Sequence, residues 1–142
     1  MAALVTYKFI KKADPALLRE IISLYKSQGW AGPKDGAGLF SRLIRGSHCF
    51  IAAMAEGNAV GMGRALSDGA SDGYIQDVFV LPRYRGLGLG SAIVLRLKAR
   101  LLKDGVRWVG LVAQDNSERF YGALGFKAIK RSRAMMLKGN RV

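Results

Sequence analysis

The sequence predicts an α/β fold of the α+β kind: one mixed, mostly antiparallel sheet of about seven strands with helices on both faces. Three observations carry that expectation. Apolar residues recur at helical spacing in three separate stretches. Short apolar runs bounded by Gly, Asn or Asp turns lie between them. At 142 residues the chain is long enough for one core but not for two, so residues 1–142 are expected to form a single domain.

Residues 4–10 alternate as an edge strand does. Asp14-Pro15 reads as an N-cap followed by proline in the first turn, opening a helix that runs to Gln28 and stops at Gly29. Leu17, Leu18, Ile21, Ile22, Leu24 and Tyr25 recur along it. After a turn-rich loop, residues 39–45 form a short helix with Leu39, Leu43 and Ile44 on one side. Residues 49–55 and 59–66 then read as a hairpin around Glu56-Gly57-Asn58. Ser67 to Gly73 is turn chemistry, and residues 74–81 are a strand.

The helix over 90–103 puts Val94, Leu97 and Leu101 on its core face and is stopped by Asp104-Gly105. Residues 106–113 read as a buried strand. Residues 117–124 read as a short helix capped by Asp115 or Asn116 and ended by Gly125. Residues 126–129 and 134–137 supply the last two strands. The order is β-α-α-β-β-β-α-β-α-β-β.

Half of the residues are apolar, enough for a core without covalent staples. Cys49 is the one cysteine and has no internal disulfide partner, which fits a reducing compartment. No apolar run reaches the length of a membrane span, and the first residues lack a secretory apolar core. A cytoplasmic location without membrane contact is the expectation. One His and one Cys do not build a metal site, so no metal is expected.

The net charge of +13 is unevenly spread. No acid lies between Asp77 and Asp104, where Arg83, Arg85, Arg96, Lys98, Arg100 and Lys103 all fall. Such a surface draws polyanions. A solvated basic face is the plainer reading, with nucleic-acid contact the less expected one.

The most specific segment is Gln76 to Ser91. An apolar strand reaches Pro82, a basic glycine-rich turn follows, and an apolar helix begins near Leu89. Gly86, Gly88 and Gly90 leave the main chain bare, so its N–H groups can close around an anion. The helix adds its unpaired first donors and the positive end of its dipole. The segment therefore reads as a site for a phosphate-bearing ligand. The dinucleotide fingerprint is excluded by spacing and by the lack of a following acidic strand end. A Walker loop is excluded because no Gly-Lys-Ser/Thr is present.

Arg85-x-x-Gly88-x-Gly90, preceded by Val80-x-Pro82, resembles the acetyl-coenzyme A pyrophosphate loop of the GNAT N-acetyltransferase superfamily. Phe120-Tyr121, followed four residues later by Gly125-Phe126, resembles that family's closing motif. Leu24-Tyr25 with Gly29-Trp30, and Arg64 to Gly69 with Ile75-x-Asp77-Val78, resemble small bacterial and plastid-type members, the plant serotonin N-acetyltransferase lineage among them. The resemblance implies a sheet splayed between its fourth and fifth strands. It also implies acetyl-coenzyme A as co-substrate and direct transfer to a primary amine, on a small molecule or a protein, without an acyl-enzyme.

The resemblance places the cofactor on the strand main chain at Phe79 and Val80, and on Arg85, Gly86, Leu87, Gly88, Leu89, Gly90 and Ser91, with Asn116 and Phe120 beyond. Gln114, seven residues before Tyr121, stands where family members often carry an asparagine. Ser91 has two readings, a phosphate contact or a helix cap. Gly90 has a further one, close packing of its helix on a strand.

Tyr121 is the expected general acid, because a phenol with pKa near 10 keeps its proton at neutral pH and can give it to a thiolate; a core aromatic next to Phe120 and Phe126 is its other reading. Asp77, a carboxylate in an apolar strand, is the expected general base; a buried aspartate that satisfies backbone donors is its other reading. Asp68, Asp72 and Asp77 would have to gather at the acceptor mouth for a cationic acceptor to be welcome. Trp30 and Tyr25 either line an acceptor pocket or pack on the core. His48 and Cys49, adjacent on a strand, face opposite sides and do not form a nucleophile–base pair. The second functional reading is a non-catalytic coenzyme A-binding module whose basic face engages nucleic acid or an acidic protein. A homodimer through the last strands is compatible with either.

Overall fold

The computed structural model describes residues 4–139. In chain order the elements are β1 (Val5–Phe9), α1 (Pro15–Gln28), α2 (Ala37–Gly46), β2 (Cys49–Ala55), β3 (Asn58–Ser67), β4 (Asp72–Val80), a 3-10 turn (Pro82–Tyr84), α3 (Leu89–Lys103), β5 (Trp108–Leu111) and α4 (Glu118–Gly122). The sheet order is β1-β2-β3-β4-β5. The first four strands are antiparallel and β5 runs parallel to β4. The mixed sheet flanked by helices is the fold class expected from the sequence. Among the described residues no helix is long and apolar enough to cross a membrane.

The strand count is corrected from seven to five. Residues 126–129 and 134–137 hold no strand. A strand exists only through its partner, and β5 is four residues long. In residues 126–129 only Phe126 is even half-buried, and it packs edge-on against Tyr121. The apolar–basic alternation that reads as a strand thus buries no face. Residues 134–137 are likewise exposed throughout.

The local chemistry of α1 is the one its sequence announces. The Asp14 carboxylate accepts from the Leu17 N–H at 2.8 Å, Pro15 occupies the first turn, and Gly29 closes the helix at φ 83°. Leu18, Ile21, Leu24 and Tyr25 are buried. α2 starts earlier than expected, at Ala37, and its core face differs. Phe40 and Ile44 are buried while Leu39 is 39% exposed, because the i, i+4 pair turns the larger ring inward.

α1 and α2 pack on one sheet face with Phe50, Met62 and Phe79. α3 covers the other with Ile93, Val94, Leu97 and Leu101, all fully buried. It lies close because the sheet beneath has no side chains at three points. A Cβ on Gly61 would stand 3.2 Å from Ile93 Cδ1, one on Gly63 2.7 Å from Ile93 Cγ2 and 3.0 Å from Leu97 Cδ1, and one on Gly73 2.9 Å from Leu101.

β4 and β5 part early. They pair only from Asp72↔Trp108 to Ile75↔Leu111, while β4 continues to Val80. The splay expected between strands 4 and 5 is therefore present. From Gln76 onward one edge of β4 has no strand beside it, and the opening there is the candidate site.

Candidate active site

Beyond Val80, Pro82 supplies no ladder donor and the chain turns through Pro82–Tyr84 into the glycine-rich segment. Gly86 (φ 76°) and Gly88 (φ 85°) both sit in the left-handed region, and nothing approaches a Cβ built on either. Their glycines answer a conformational need, not a crowding one. α3 begins at Leu89, with its first i→i−4 bond from the Ala92 N–H to the Gly88 carbonyl at 3.0 Å. The amides of Leu89, Gly90 and Ser91 precede that bond and lack helical acceptors. The N-cap residue of α3 is Gly88, which has no side chain to cap the helix. A run of open N–H groups at the positive end of a 15-residue helix fits a diphosphate.

The side chains around this turn are not all at the rim. Leu87 is exposed, but Leu89 is in the core, so it can offer a ligand only its main chain. The same holds for Phe79 and Val80, both buried. The Arg85 Nε donates to the Val80 carbonyl at 2.9 Å, and its guanidinium lies 5.5 Å from the Phe79 ring centre. Arg85 thus braces the strand end it follows. Gly90 takes the close-packing reading, most tightly against α4: its Cβ would stand 3.2 Å from Phe120 Cζ and 4.0 Å from Val80 Cγ2 of β4.

Phe120 and Tyr121 diverge, as adjacent helix residues must. Their rings meet edge-on at 4.9 Å, and Tyr121 meets Phe126 edge-on at 6.1 Å. The turn that ends α4 brings the Leu124 and Phe126 N–H groups to the Tyr121 carbonyl, with Gly125 at φ 99°. Lys98 of α3 donates to the Leu124 carbonyl at 2.9 Å, fixing this turn to the long helix. Burial raises the Tyr121 phenol above its ordinary pKa, so it holds its proton through the neutral range.

A cleft of about 650 Å3 opens where β4 and β5 part, and Tyr121, Asp77 and Trp30 all line it. Of the three aspartates considered for the acceptor mouth, Asp77 alone is in this wall. Asp68 instead accepts from the Ala70, Ser71 and Asp72 amides, bonds that hold its pKa down. Gln114 lines the cleft and Asn116 does not; Asn116 is a turn residue at φ 60°. Asp115, Val112, Met135 and Met136 line it too. The two methionines belong to the irregular C-terminal segment, where a strand reading hid them.

Asp77 stands at φ 57° inside β4. The register passes from Met62↔Phe79 to Arg64↔Gln76, so Asp77 and Val78 together face Gly63 in a β-bulge. Asp77 Oδ2 accepts from the Tyr25 hydroxyl at 2.7 Å and from Arg64 Nε at 2.6 Å. Tyr25 is buried in the core, and that burial, with the Asp77 charge beside it, pushes its phenol far above the usual range. Tyr25 is thus a donor to Asp77 and not part of the cleft wall, while Trp30, 6.2 Å from it, is.

Cys49 and His48 lie elsewhere. Burial pushes the Cys49 thiol up to about 11, and His48 Nε2 lies 2.7 Å from Asp104 Oδ2. Among the described residues, no group of three or more His, Cys, Asp or Glu gathers as a metal site would require.

Residues 16–126 match the family model described as the acetyltransferase (GNAT) family. The chain is 42% identical over 73 residues to the chloroplastic GCN5-related N-acetyltransferase 2 of Arabidopsis thaliana, covering 51% of this chain and 28% of that protein. It is 40% identical over 75 residues to the chloroplastic serotonin N-acetyltransferase 2 of rice (Oryza sativa subsp. japonica), covering 53% of this chain and 38% of that protein. The chain thus spans well under half the length of these relatives. The solved aminoglycoside N-acetyltransferase AAC(6')-Iy, in complex with CoA, superposes with a TM-score of 0.75 at 20% identity, over 97% of each chain; this is a likeness of fold. With the family match running from the second residue of α1 to the last aromatic of the closing turn, the chain belongs to the acetyltransferase (GNAT) family.

Proposed function

We propose that this chain transfers an acetyl group from acetyl-coenzyme A directly to a primary amine within a ternary complex. The observation that carries the reading is the place of Tyr121. Its ring packs on Phe120, Phe120 packs on Gly90 of the anion-binding turn, and Tyr121 itself lines the cleft. A carrier whose diphosphate rests on the amides of residues 86–91 would run its arm along the free edge of β4 toward that phenol.

The residues then have simple tasks. The acceptor nitrogen attacks the thioester carbonyl carbon, a C–N bond forms and the C–S bond breaks. The departing sulfur takes the Tyr121 proton; the amine gives its own proton to water in the cleft, and water reprotonates the phenolate. A depressed phenol pKa would leave Tyr121 unable to serve, and burial moves it the other way.

Trp30, Met135 and Met136 in the wall favour an acceptor with an apolar or aromatic body. The charge of +13 disfavours a polyamine. The serotonin N-acetyltransferase named among the relatives agrees with this choice. The test is release of the coenzyme A thiol with an arylalkylamine, a polyamine and a lysine-containing peptide, with Tyr121→Phe as control. Turnover of the arylalkylamine alone, lost in the control, is expected. Equal turnover by Tyr121→Phe would remove the proposed acid.

A further inference from the structure

Asp77 is the one non-glycine residue of a strand, among the described residues, that stands in the left-handed region. That conformation is unfavourable for most side chains, and Asp and Asn tolerate it best. Two side chains hold it here. Tyr25 reaches it from α1 and Arg64 from β3, both through Oδ2. Opposite the bulge stands Gly63, where a side chain would collide with Ile93 and Leu97. A strained residue persists only when its surroundings fix it from several sides, and such residues concentrate at working sites.

The bulge also lies where it matters. Asp77 and Val78 line the cleft, two residues past the last pairing of β4 with β5 at Ile75↔Leu111. The extra residue of a bulge re-aims the main chain around it. Its setting therefore decides where the free edge of β4 presents its amides to whatever enters between the strands. An Oδ2 that already accepts from a phenol and a guanidinium is engaged as an anchor.

We propose that Tyr25, Arg64 and Asp77 form a positioning device that locks the β4 bulge and thereby sets the main-chain edge against which the thioester carbonyl is received. Asp77 acts here through conformation and not as the base that takes the acceptor proton. The inference rests on the acetyl-transfer reading of the same cleft.

The test compares Asp77→Asn, Asp77→Ala and Tyr25→Phe. Asn keeps an acceptor oxygen and tolerates the left-handed setting but has no basic carboxylate; Ala has neither acceptor nor tolerance. The device requires kcat for Asp77→Asn within about threefold of the parent. It requires a fall of about thirtyfold or more for Asp77→Ala with KM for acetyl-coenzyme A little changed, and a smaller fall for Tyr25→Phe. If Asn falls as far as Ala, the carboxylate itself is the base and the proposal is overturned. It is also overturned if all three variants match the parent.

The φ of residue 77, read from its HN–Hα coupling, provides a readout that does not need turnover. It should stay left-handed in the parent and Asn, and leave that region in Ala and Phe. A parent that acetylates no amine would sink the acetyl-transfer reading while this angle still decides whether the bulge is locked. An unmoved angle in Ala would sink the lock even in an active enzyme. Should Asp77→Ala fail to fold, Tyr25→Phe, a change of one oxygen, carries the same comparison.

Discussion

The ring of Phe120 comes within 3.2 Å of the point where a side chain on Gly90 would begin. The glycine-rich turn and the aromatic closing block are thus in direct contact, and the glycine is what lets them meet. Gly90→Ala forces the ring aside by a few tenths of an ångström, and the edge-on contact passes the shift to Tyr121. The expected result is a stability loss of about 1 kcal/mol, at the low end for overpacking, with turnover reduced more than acetyl-coenzyme A affinity. Urea unfolding and calorimetric titration separate the two.

Gly88 makes the contrasting case. Nothing crowds it, but its φ is 85°. Gly88→Ala should cost about 1–2 kcal/mol through backbone strain and act mainly on acetyl-coenzyme A affinity, because the amides at the start of α3 are displaced. An affinity equal to the parent's, measured by titration, would separate this glycine from the anion site.

These two glycines show what could be read from the sequence and what could not. The turn and its partner motif are local patterns, and their backbone form survives translation into structure, with Gly86 and Gly88 in the left-handed region. So do α1, with Asp14 and Gly29 at its ends, and the Val94–Leu97–Leu101 stripe of α3. Contacts between distant segments are another matter. Nothing in the spacing tells that Phe120 covers Gly90 or that Tyr25 and Arg64 converge on Asp77 across 52 and 13 positions. The missing last strands have the same cause: alternation at residues 126–129 is a local signal, whereas a strand is a pairing. The φ of Asp77 gives no sequence signal beyond an acid in an apolar run.

Tyr121→Phe tests the chemistry and its pH dependence together. Removal of a general acid is expected to lower kcat by about 10²–10⁴ and to leave the dissociation constant for acetyl-coenzyme A essentially unchanged. Burial raises the phenol, and in the proposed mechanism the protonated form is the active one. Activity should therefore be retained as pH rises and lost only above about 10, the ordinary phenol value. A parent profile whose falling limb is centred near pH 8 would assign that limb to another group.

Gly63→Ala probes the packing behind the site. Its Cβ would enter the van der Waals space of Ile93 and Leu97, both fully buried, on the α3 side of the bulge. Overpacking of this kind costs about 1–3 kcal/mol. The urea midpoint should fall accordingly, and a variant as stable as the parent would mean that α3 lifts from the sheet at little cost.

Cys49 gives a prediction in which the sign comes from proton linkage. Burial raises its thiol from 9.0 to about 11, so between those values the folded chain keeps a proton that the unfolded chain releases. Stability from this group is complete below pH 9 and falls as pH climbs toward 11, because the unfolded state is then favoured by ionisation. Two units correspond to about 3 kcal/mol as an upper figure. Other groups titrate in the same range, so the quantity to measure is the difference between the parent and Cys49→Ala. Ala lowers stability at neutral pH through the cavity it leaves, but it has no thiol to ionise. The gap between the two unfolding free energies should narrow steadily from pH 9 to 11. A gap that stays constant would mean that the folded chain admits the thiolate as readily as the unfolded one.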